Sequence, residues 1–337
     1  YTGDAGLLSK IRTMCLCRLL GRLSHFHSTR HPRGEIGYPL NMAESMAFTG
    51  HGLGHVLNHG YHGKQDHAFT DDVKRYMKFA LSHEDVLTRN ERRPKVAVLH
   101  SNTSLAFNCR DPHLGVLTVE QALILEDIAF DPIDDAHLDD LSRWEVVILS
   151  ECESMSDDDL AKVAAYIENG GHVLAIGNVA VYDERRRLRP HMGLAPLLGF
   201  ATSDAIAPDP YAKEFTDLFG IDPGSATHRA SVLPPTMSRE IGKGRLFYIS
   251  ELLLATPRKF DEPSNYNVRY DVVDERYLHA PRNRAEIVRA LDDMCERDIR
   301  VIGPDWVVAE ITYPQRAGLE DVVNIHLLNY RLGAVVG

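Results

Sequence analysis

The sequence predicts an α/β protein built on an open, mostly parallel sheet, and three observations predict it. Short apolar runs at 96–100, 146–149, 172–176 and 245–249 read as strands covered on both faces. Amphipathic stretches with capping residues lie between them, and parallel strands need such crossovers. The 337 residues are 44% hydrophobic, enough for a sizeable core, yet no apolar run approaches the roughly 20 residues that span a bilayer.

The elements follow in order. Residues 7–23 have a helical pattern, and 23–27 read as a strand running into a polar Gly/Pro loop at 31–34. A helix-compatible stretch at 40–48 leads into a glycine- and histidine-rich run at 50–62. Val73, Tyr76, Met77 and Ala80 then predict a helix over 71–81 by their i, i+3, i+4, i+7 spacing. This opening block contains helices, one or two strands at most, and no complete sheet pattern.

Beyond a charged linker at 89–95 the strand–helix alternation begins. After the strand at 96–100, Thr118 with Gln121 three residues on predicts a capped helix start. After the strand at 146–149, Ser156 with Asp159 opens a helix that turns Leu160, Val163, Ala164 and Ile167 inward and stops at Gly170-Gly171. The strand at 245–249 follows a tight Gly242-Lys243-Gly244 turn, and Asn283 with Glu286 caps a closing helix through Ala290, Leu291 and Met294. Residues 306–312 and 322–330 predict a hairpin joined by a polar loop with Gly318. Two strands alone are marginal in water, so more strands are expected beyond Gly337, and a first residue Tyr1 points to sequence upstream.

With 37 Lys+Arg against 48 Asp+Glu the net charge is −11, which argues against nucleic acid or an anionic membrane as partner. Cys15, Cys17, Cys109, Cys152 and Cys295 are few and odd in number. A disulfide framework is therefore not expected, and a reducing compartment, the cytoplasm, is favoured. One residue separates Cys15 from Cys17, a spacing that suits neither a redox pair nor a zinc knuckle.

His51, His55 and His59 are spaced i, i+4, i+8 with His62 close behind, and on a helix they would present imidazoles to zinc or nickel. Gly50, Gly52, Gly54 and Gly60 oppose that helix, each costing about 1 kcal/mol relative to alanine. No metal is expected there; at a pocket mouth His51, His55 and Asn58 would instead hold sugar hydroxyls. Glu44, an acid in a small and apolar helical stretch, is read as a ligand contact facing a polar cavity, or as an acid favoured by a helix dipole.

Glu151 and Glu153 follow the second strand, and in extended backbone i and i+2 face one side. That permits the carboxylate separation of glycosidases, about 5 to 5.5 Å for retention or 6.5 to 9.5 Å for inversion, although one short loop supplying both groups is unusual. The acidic runs at 131–140 and 157–159 read as solvated helix starts and loops. A nucleophilic cysteine is disfavoured: the strand–loop junction at 176–180 has none, and Cys152 lies between two glutamates that raise its pKa. Neither a lysine-containing phosphate loop nor GxGxxG is present, so no cofactor is implied.

Taken together, Lys95-Val96-Ala97-Val98-Leu99-His100-Ser101, Trp144-Glu145-Val146-Val147-Ile148-Leu149-Ser150, the helix and diglycine at 160–171, and the run from Ala175-Ile176-Gly177-Asn178 to Leu198-Gly199-Phe200 resemble the trimerisation domain of family 42-type β-galactosidases and related glycosyl hydrolases. Gly242-Lys243-Gly244-Arg245 and His326-Leu327-Leu328-Asn329-Tyr330 are similar to later parts of those proteins. The resemblance covers residues 95–330.

It implies a class I glutamine amidotransferase-like, flavodoxin-like domain over 95–298 that lacks the catalytic cysteine. The C-terminal part of a (β/α)8 glycosidase barrel would precede it over 1–90, and the start of a C-terminal β domain would follow over 300–337. The implied role is oligomerisation and cleft shaping within a carbohydrate-active hydrolase. A carbohydrate is the partner where the barrel is complete, but neither catalytic glutamate of the family has a matching position here. The resemblance also implies a homo-oligomer, commonly a trimer, with Tyr182, Arg185, Arg186 and Arg187 as aromatic and guanidinium anchors of an interface. The other reading is a stand-alone, non-catalytic sugar-binding or structural protein.

Overall fold

The computed structural model describes residues 7–24, 26–28, 37–52, 55–57, 71–108, 111–199, 206–208, 227–230, 236–253, 280–302 and 307–329. The chain opens with α1 (Leu7–Leu19), β1 (Phe26–Ser28), α2 (Gly37–Phe48) and β2 (His55–Leu57), and β1 pairs with β2 in parallel. Parallel neighbours joined through a helix are the unit from which β/α barrels are built. Pro39 sits in the first turn of α2, where its missing N–H breaks no bond. Leu40, Met42, Met46, Ala47 and Phe48 of α2 are all buried, as are Asn41, Glu44 and Ser45, so residues 40–48 are covered on nearly every side. The amphipathic α3 (Asp71–Ser82) and short α4 (Glu84–Leu87) follow.

Next come β3 (Asn90–Glu91), β4 (Val96–His100), α5 (Asn102–Phe107), α6 (Asp111–Leu125), β5 (Phe130–Asp134), β6 (Val146–Ser150), α7 (Asp157–Glu168), β7 (His172–Ile176) and α8 (Ala195–Leu198). A small antiparallel pair, β8 (Ile206–Pro208) with β9 (Thr227–Ala230), is followed by β10 (Thr236–Ile241), β11 (Gly244–Ile249) and α9 (Arg284–Asp292). One six-stranded sheet has the order β10-β11-β7-β6-β4-β5, parallel throughout except for the β10–β11 hairpin. All four strands read from apolar runs lie in it. Val146 to Leu149 are 0% exposed, as the doubly covered reading requires.

One sheet face packs on α6 and α9, through Val119, Leu123, Ile287 and Leu291 against Val98, Ile148 and Leu174. The other packs on α7 and the 179–198 segment, through Val163, Ile167, Val179 and Leu194 against Ala97, Val147 and Val173. The first of these cores also holds Ile11, Met14, Cys15 and Phe48 from the N-terminal helices, and Val308 and Leu328 from the C-terminal hairpin. That hairpin, β12 (Val307–Pro314) with β13 (Asn324–Asn329), is antiparallel, and β12 pairs on its other side with β3.

Several local expectations need correction. Thr118 is not a cap: α6 starts seven residues earlier, and the Thr118 hydroxyl donates back to Leu114 O at 2.7 Å inside the helix. The run at 131–140 is not simply solvated, because 130–134 forms β5 and Asp131 is buried. Pro132 is accommodated there because β5 is an edge strand. The linker contributes β3, and its Arg92 is buried. Asn283 precedes α9 without capping it; its side chain accepts from Leu253 N and donates to Glu251 O. Ser156, by contrast, caps α7 as read, accepting from Asp159 N at 3.0 Å, and Gly170 ends that segment with φ +116°.

Candidate functional site

The chain leaves β4 toward β5 on one side and β6 on the other, so the sheet has its topological switch point between β4 and β6. Ligands of open α/β sheets bind in the crevice outside the carboxyl ends of the strands at such a point. Here side chains on and beside α5 link the strand ends. Ser101 caps α5, accepting from Ser104 N at 3.1 Å, and Ser104 Oγ accepts from Ser154 N at 3.0 Å beyond β6. Asn108 Nδ2 donates to both oxygens of Glu153 at 3.1 Å while its own oxygen accepts from Asp111 N at 3.2 Å. Asp135 accepts from Thr103 N and Thr103 Oγ1, each at 2.8 Å, and fastens the end of β5 to α5.

Glu151, the first residue after β6, has φ +50°. A left-handed conformation costs a residue with a Cβ roughly 1–2 kcal/mol, and it persists where the surrounding structure fixes the residue. Glu151 Oε2 accepts from Asn178 N and Asn178 Nδ2, both at 3.1 Å, and the side chain lies between two glycines. A Cβ at Gly115 would stand 2.7 Å from Glu151 Cγ, and one at Gly177 (φ +72°) would collide with the carboxylate. The turn at Glu151 also removes the extended geometry on which the shared face of Glu151 and Glu153 depended. Both are buried, with separate partners: Asn178 for Glu151, and Asn108 with Arg186, at 3.2 Å, for Glu153.

Beside them Cys152 is buried, and burial first, then Asp135 and Glu151, pushes its thiol far up, away from a nucleophilic thiolate. A second cluster lies where α1 meets the sheet. His100 Nε2 is 2.6 Å from Glu120 Oε1, Arg12 stands 3.9 Å from Glu120 Oε2, and His113 is pushed down to about 4 by burial, then by Arg12 and His100, against Glu120. Among the described residues of the seam, acids and amides meet in fixed pairs.

The structure distributes the residues singled out by sequence over three places. Glu44 is 0% exposed within α2, among the other buried residues of that helix. His51 is exposed, bridges to Thr88, and is held below the ordinary histidine value by burial and then by Arg18. His55 is on β2, and Asn58, His59 and His62 lie outside the described residues, so the histidine run is not seen to converge.

Tyr182 and Arg186 are used within this chain: the Arg186 guanidinium lies 4.6 Å from the buried Tyr182 ring and pairs with Glu153. Asp183 Oδ1 accepts from the backbone N–H of Arg185 and Arg187 at 2.9 and 2.7 Å, which leaves those two side chains outward. Sequence reasoning missed the Asn108–Glu153 and Asn178–Glu151 pairs. Gly115 within a helix and Gly177 at a strand end were the available signals, since each marks a close approach.

A mostly parallel sheet, preceded by a short β/α unit and followed by an antiparallel hairpin, is an α/β architecture also found in solved β-galactosidases. The chain is similar to the cold-adapted β-galactosidase from Rahnella sp. R3, with TM-score 0.58 and 15% identity over 93% of this chain and 51% of that one. It is also similar to the β-galactosidase from the haloarchaeon Halorubrum lacusprofundi (0.55, 15%, 97% and 56%) and to α-L-fucosidase isoenzyme 2 from Paenibacillus thiaminolyticus (0.56, 18%, 97% and 53%). The chain thus spans about half the length of these structures, and at such identities the likeness is one of fold. No protein-family model and no curated protein matches it.

Among the described residues no group of three or more His, Cys, Asp or Glu is placed to hold a metal, and no helix is long and apolar enough to cross a membrane.

Proposed function

We propose that this chain is the accessory half of a carbohydrate-active hydrolase of β-galactosidase type, serving assembly and the shaping of a substrate cleft. The observation that carries the reading is the closed seam at the switch point, where Glu151 and Glu153 are bound to amides and an arginine within the chain. The fold shared with β-galactosidases supports the class of parent protein. In this reading residues 1–90 are the end of a catalytic barrel, 95–298 the amidotransferase-like domain and 300–337 the start of a β domain.

The wall of the cleft would come from the N-terminal block, with His51, His55 and Asn58 at its mouth and the α2 helix of Glu44 behind. Subunits would join, three to a ring, through Arg185 and Arg187, with Tyr182 and Arg186 stiffening the loop that carries them. A chain with few cysteines, odd in number, suits a reducing cytoplasm.

Titration of the chain with galactose, glucose and fucose separates this reading from a stand-alone sugar-binding protein. The proposal expects no saturable heat below millimolar sugar. Tight, stoichiometric binding abolished by His51→Ala would favour the stand-alone protein instead.

A further inference from the structure

Two helix ends meet at a cavity that shares no residue with the switch point. It has a volume of about 350 Å³, within the range of small-molecule sites, and lies between the last turn of α6, the last turn of α9 and the segment leading into β12. Both helices bring their carboxyl ends to it, Leu125 being the last residue of α6 and Asp292 the last of α9. A helix carries roughly half a negative charge at that end, which favours cations. The side chains there reinforce this potential: Glu126 and Asp127 follow α6 directly, and Asp292 closes α9.

Arginines answer two of these three acids. Asp292 accepts from Arg297 and Arg300, each at 3.0 Å, and Glu126 lies 3.1 Å from Arg284 and 3.9 Å from Arg297. Asp127 differs. Its Oδ1 accepts from Ala309 N at 2.7 Å, and among the described residues nothing bonds Oδ2 and no cation lies within pairing distance. Burial raises this carboxyl above its ordinary value, more than the Ala309 N–H lowers it. Asp127 also has φ +56°, at a helix end where glycine or asparagine is the usual left-handed residue. A charge therefore stands where a neutral side chain would serve the turn. The remaining wall is apolar and includes Leu125, Val288, Val301 and Val307.

We propose that this cavity binds an aliphatic amine, its ammonium group paired with Asp127 and its alkyl chain laid against Leu125 and the three valines. The ammonium donates to the open carboxylate oxygen and faces two negative helix ends. The walls favour an alkyl chain over a bare inorganic cation. An anion is disfavoured, because the helix ends repel it and Arg297 is engaged by Asp292 and by the Glu126 carbonyl at 3.1 Å. This inference does not rest on the carbohydrate reading.

Isothermal titration of the 337-residue chain with ethylamine, n-butylamine and n-hexylamine, at neutral pH in an amine-free buffer of constant ionic strength, tests it. The expected result is saturable one-to-one binding that tightens by about two- to fourfold per methylene. Asp127→Asn keeps both the left-handed preference and an acceptor for Ala309 N. It should weaken n-hexylamine at least about tenfold with an unchanged circular dichroism spectrum. No saturable binding of any of these amines would overturn the inference. So would a series without chain-length dependence, which needs no variant to read, or n-hexylamine binding that Asp127→Asn leaves intact. Hexanoate or n-hexanol bound as tightly as n-hexylamine would overturn it too, assigning the cavity to its arginines or to apolar contact alone.

Discussion

The Arg92 guanidinium holds the Glu310 carboxylate through two bonds of 3.0 Å, joining residues 218 positions apart. Its remaining nitrogen donates to Phe130 O at 3.1 Å and lies 3.6 Å from Asp131, which in turn accepts from Trp144 Nε1. Burial opposes the charge on Arg92, and the buried Glu310 and Asp131 carboxylates around it hold the proton on. A linker strand, the edge of the sheet and the C-terminal hairpin are thereby fixed together, beside a helix of the N-terminal block. The barrel-like start and the terminal hairpin thus belong to one packed body with the sheet.

Removing one partner of this buried pair leaves the other charged and unmatched, which typically costs about 3–5 kcal/mol. Glu310→Ala should therefore lower the guanidinium midpoint sharply. Arg92→Met combined with Glu310→Leu should recover most of the loss. Equal destabilisation by the single and double variants would show that the hairpin is held by something else.

Gly177→Ala places a Cβ against the Glu151 carboxylate at a left-handed position, so overpacking adds to backbone strain, for a cost of about 1–3 kcal/mol. Trimming the obstacle with Glu151→Ala should make the second substitution milder, with a coupling of at least about 0.5 kcal/mol in a double-mutant cycle from urea midpoints. Strict additivity would mean that the two residues do not touch.

His113 is pushed down to about 4 by burial, with Arg12 and His100 lowering it further and Glu120 opposing them. The unfolded chain therefore takes up the proton first as pH falls. The stability due to neutral His113 is fully present above pH ~6.5 and is lost as pH drops through about 4. Melting temperature should fall over that window, and His113→Phe should flatten the fall. An unchanged pH profile in that variant would assign the effect to other groups.

Burial suppresses thiol chemistry at Cys15 and Cys152. Cys15 is raised to about 12 chiefly by burial, and Cys152 is raised by burial and the neighbouring acids. Mass-spectrometric mapping of iodoacetamide labelling should find Cys17 modified in the native protein. Cys15 and Cys152 should be labelled only after denaturant is added. Rapid native labelling of Cys152 would contradict the packing described for it.

What was legible in the sequence follows from how each element is stabilised. β4, β6, β7 and β11 were readable because strands covered on both faces need unbroken apolar runs, and the Ser156 cap because its signal is local. β5 was hidden because an edge strand tolerates Pro132, and because Asp131 has its charge answered by Arg92, a distant residue. The elbow at Glu151 was hidden for the same reason. Its room comes from Gly115 and Gly177, on two other elements, and no short window contains all three. The pairings that close the candidate site are long-range, so a pattern of spacing suggested two carboxylates on one face where the fold gives each its own partners.

The most direct measurement of the central claim is hydrolysis of a chromogenic β-galactoside by the purified 337-residue chain. With Glu151 and Glu153 locked by Asn178, Asn108 and Arg186, the account predicts no release above the buffer rate across the pH range where the chain is folded. Sustained turnover that disappears in Glu151→Gln or Glu153→Gln would contradict it.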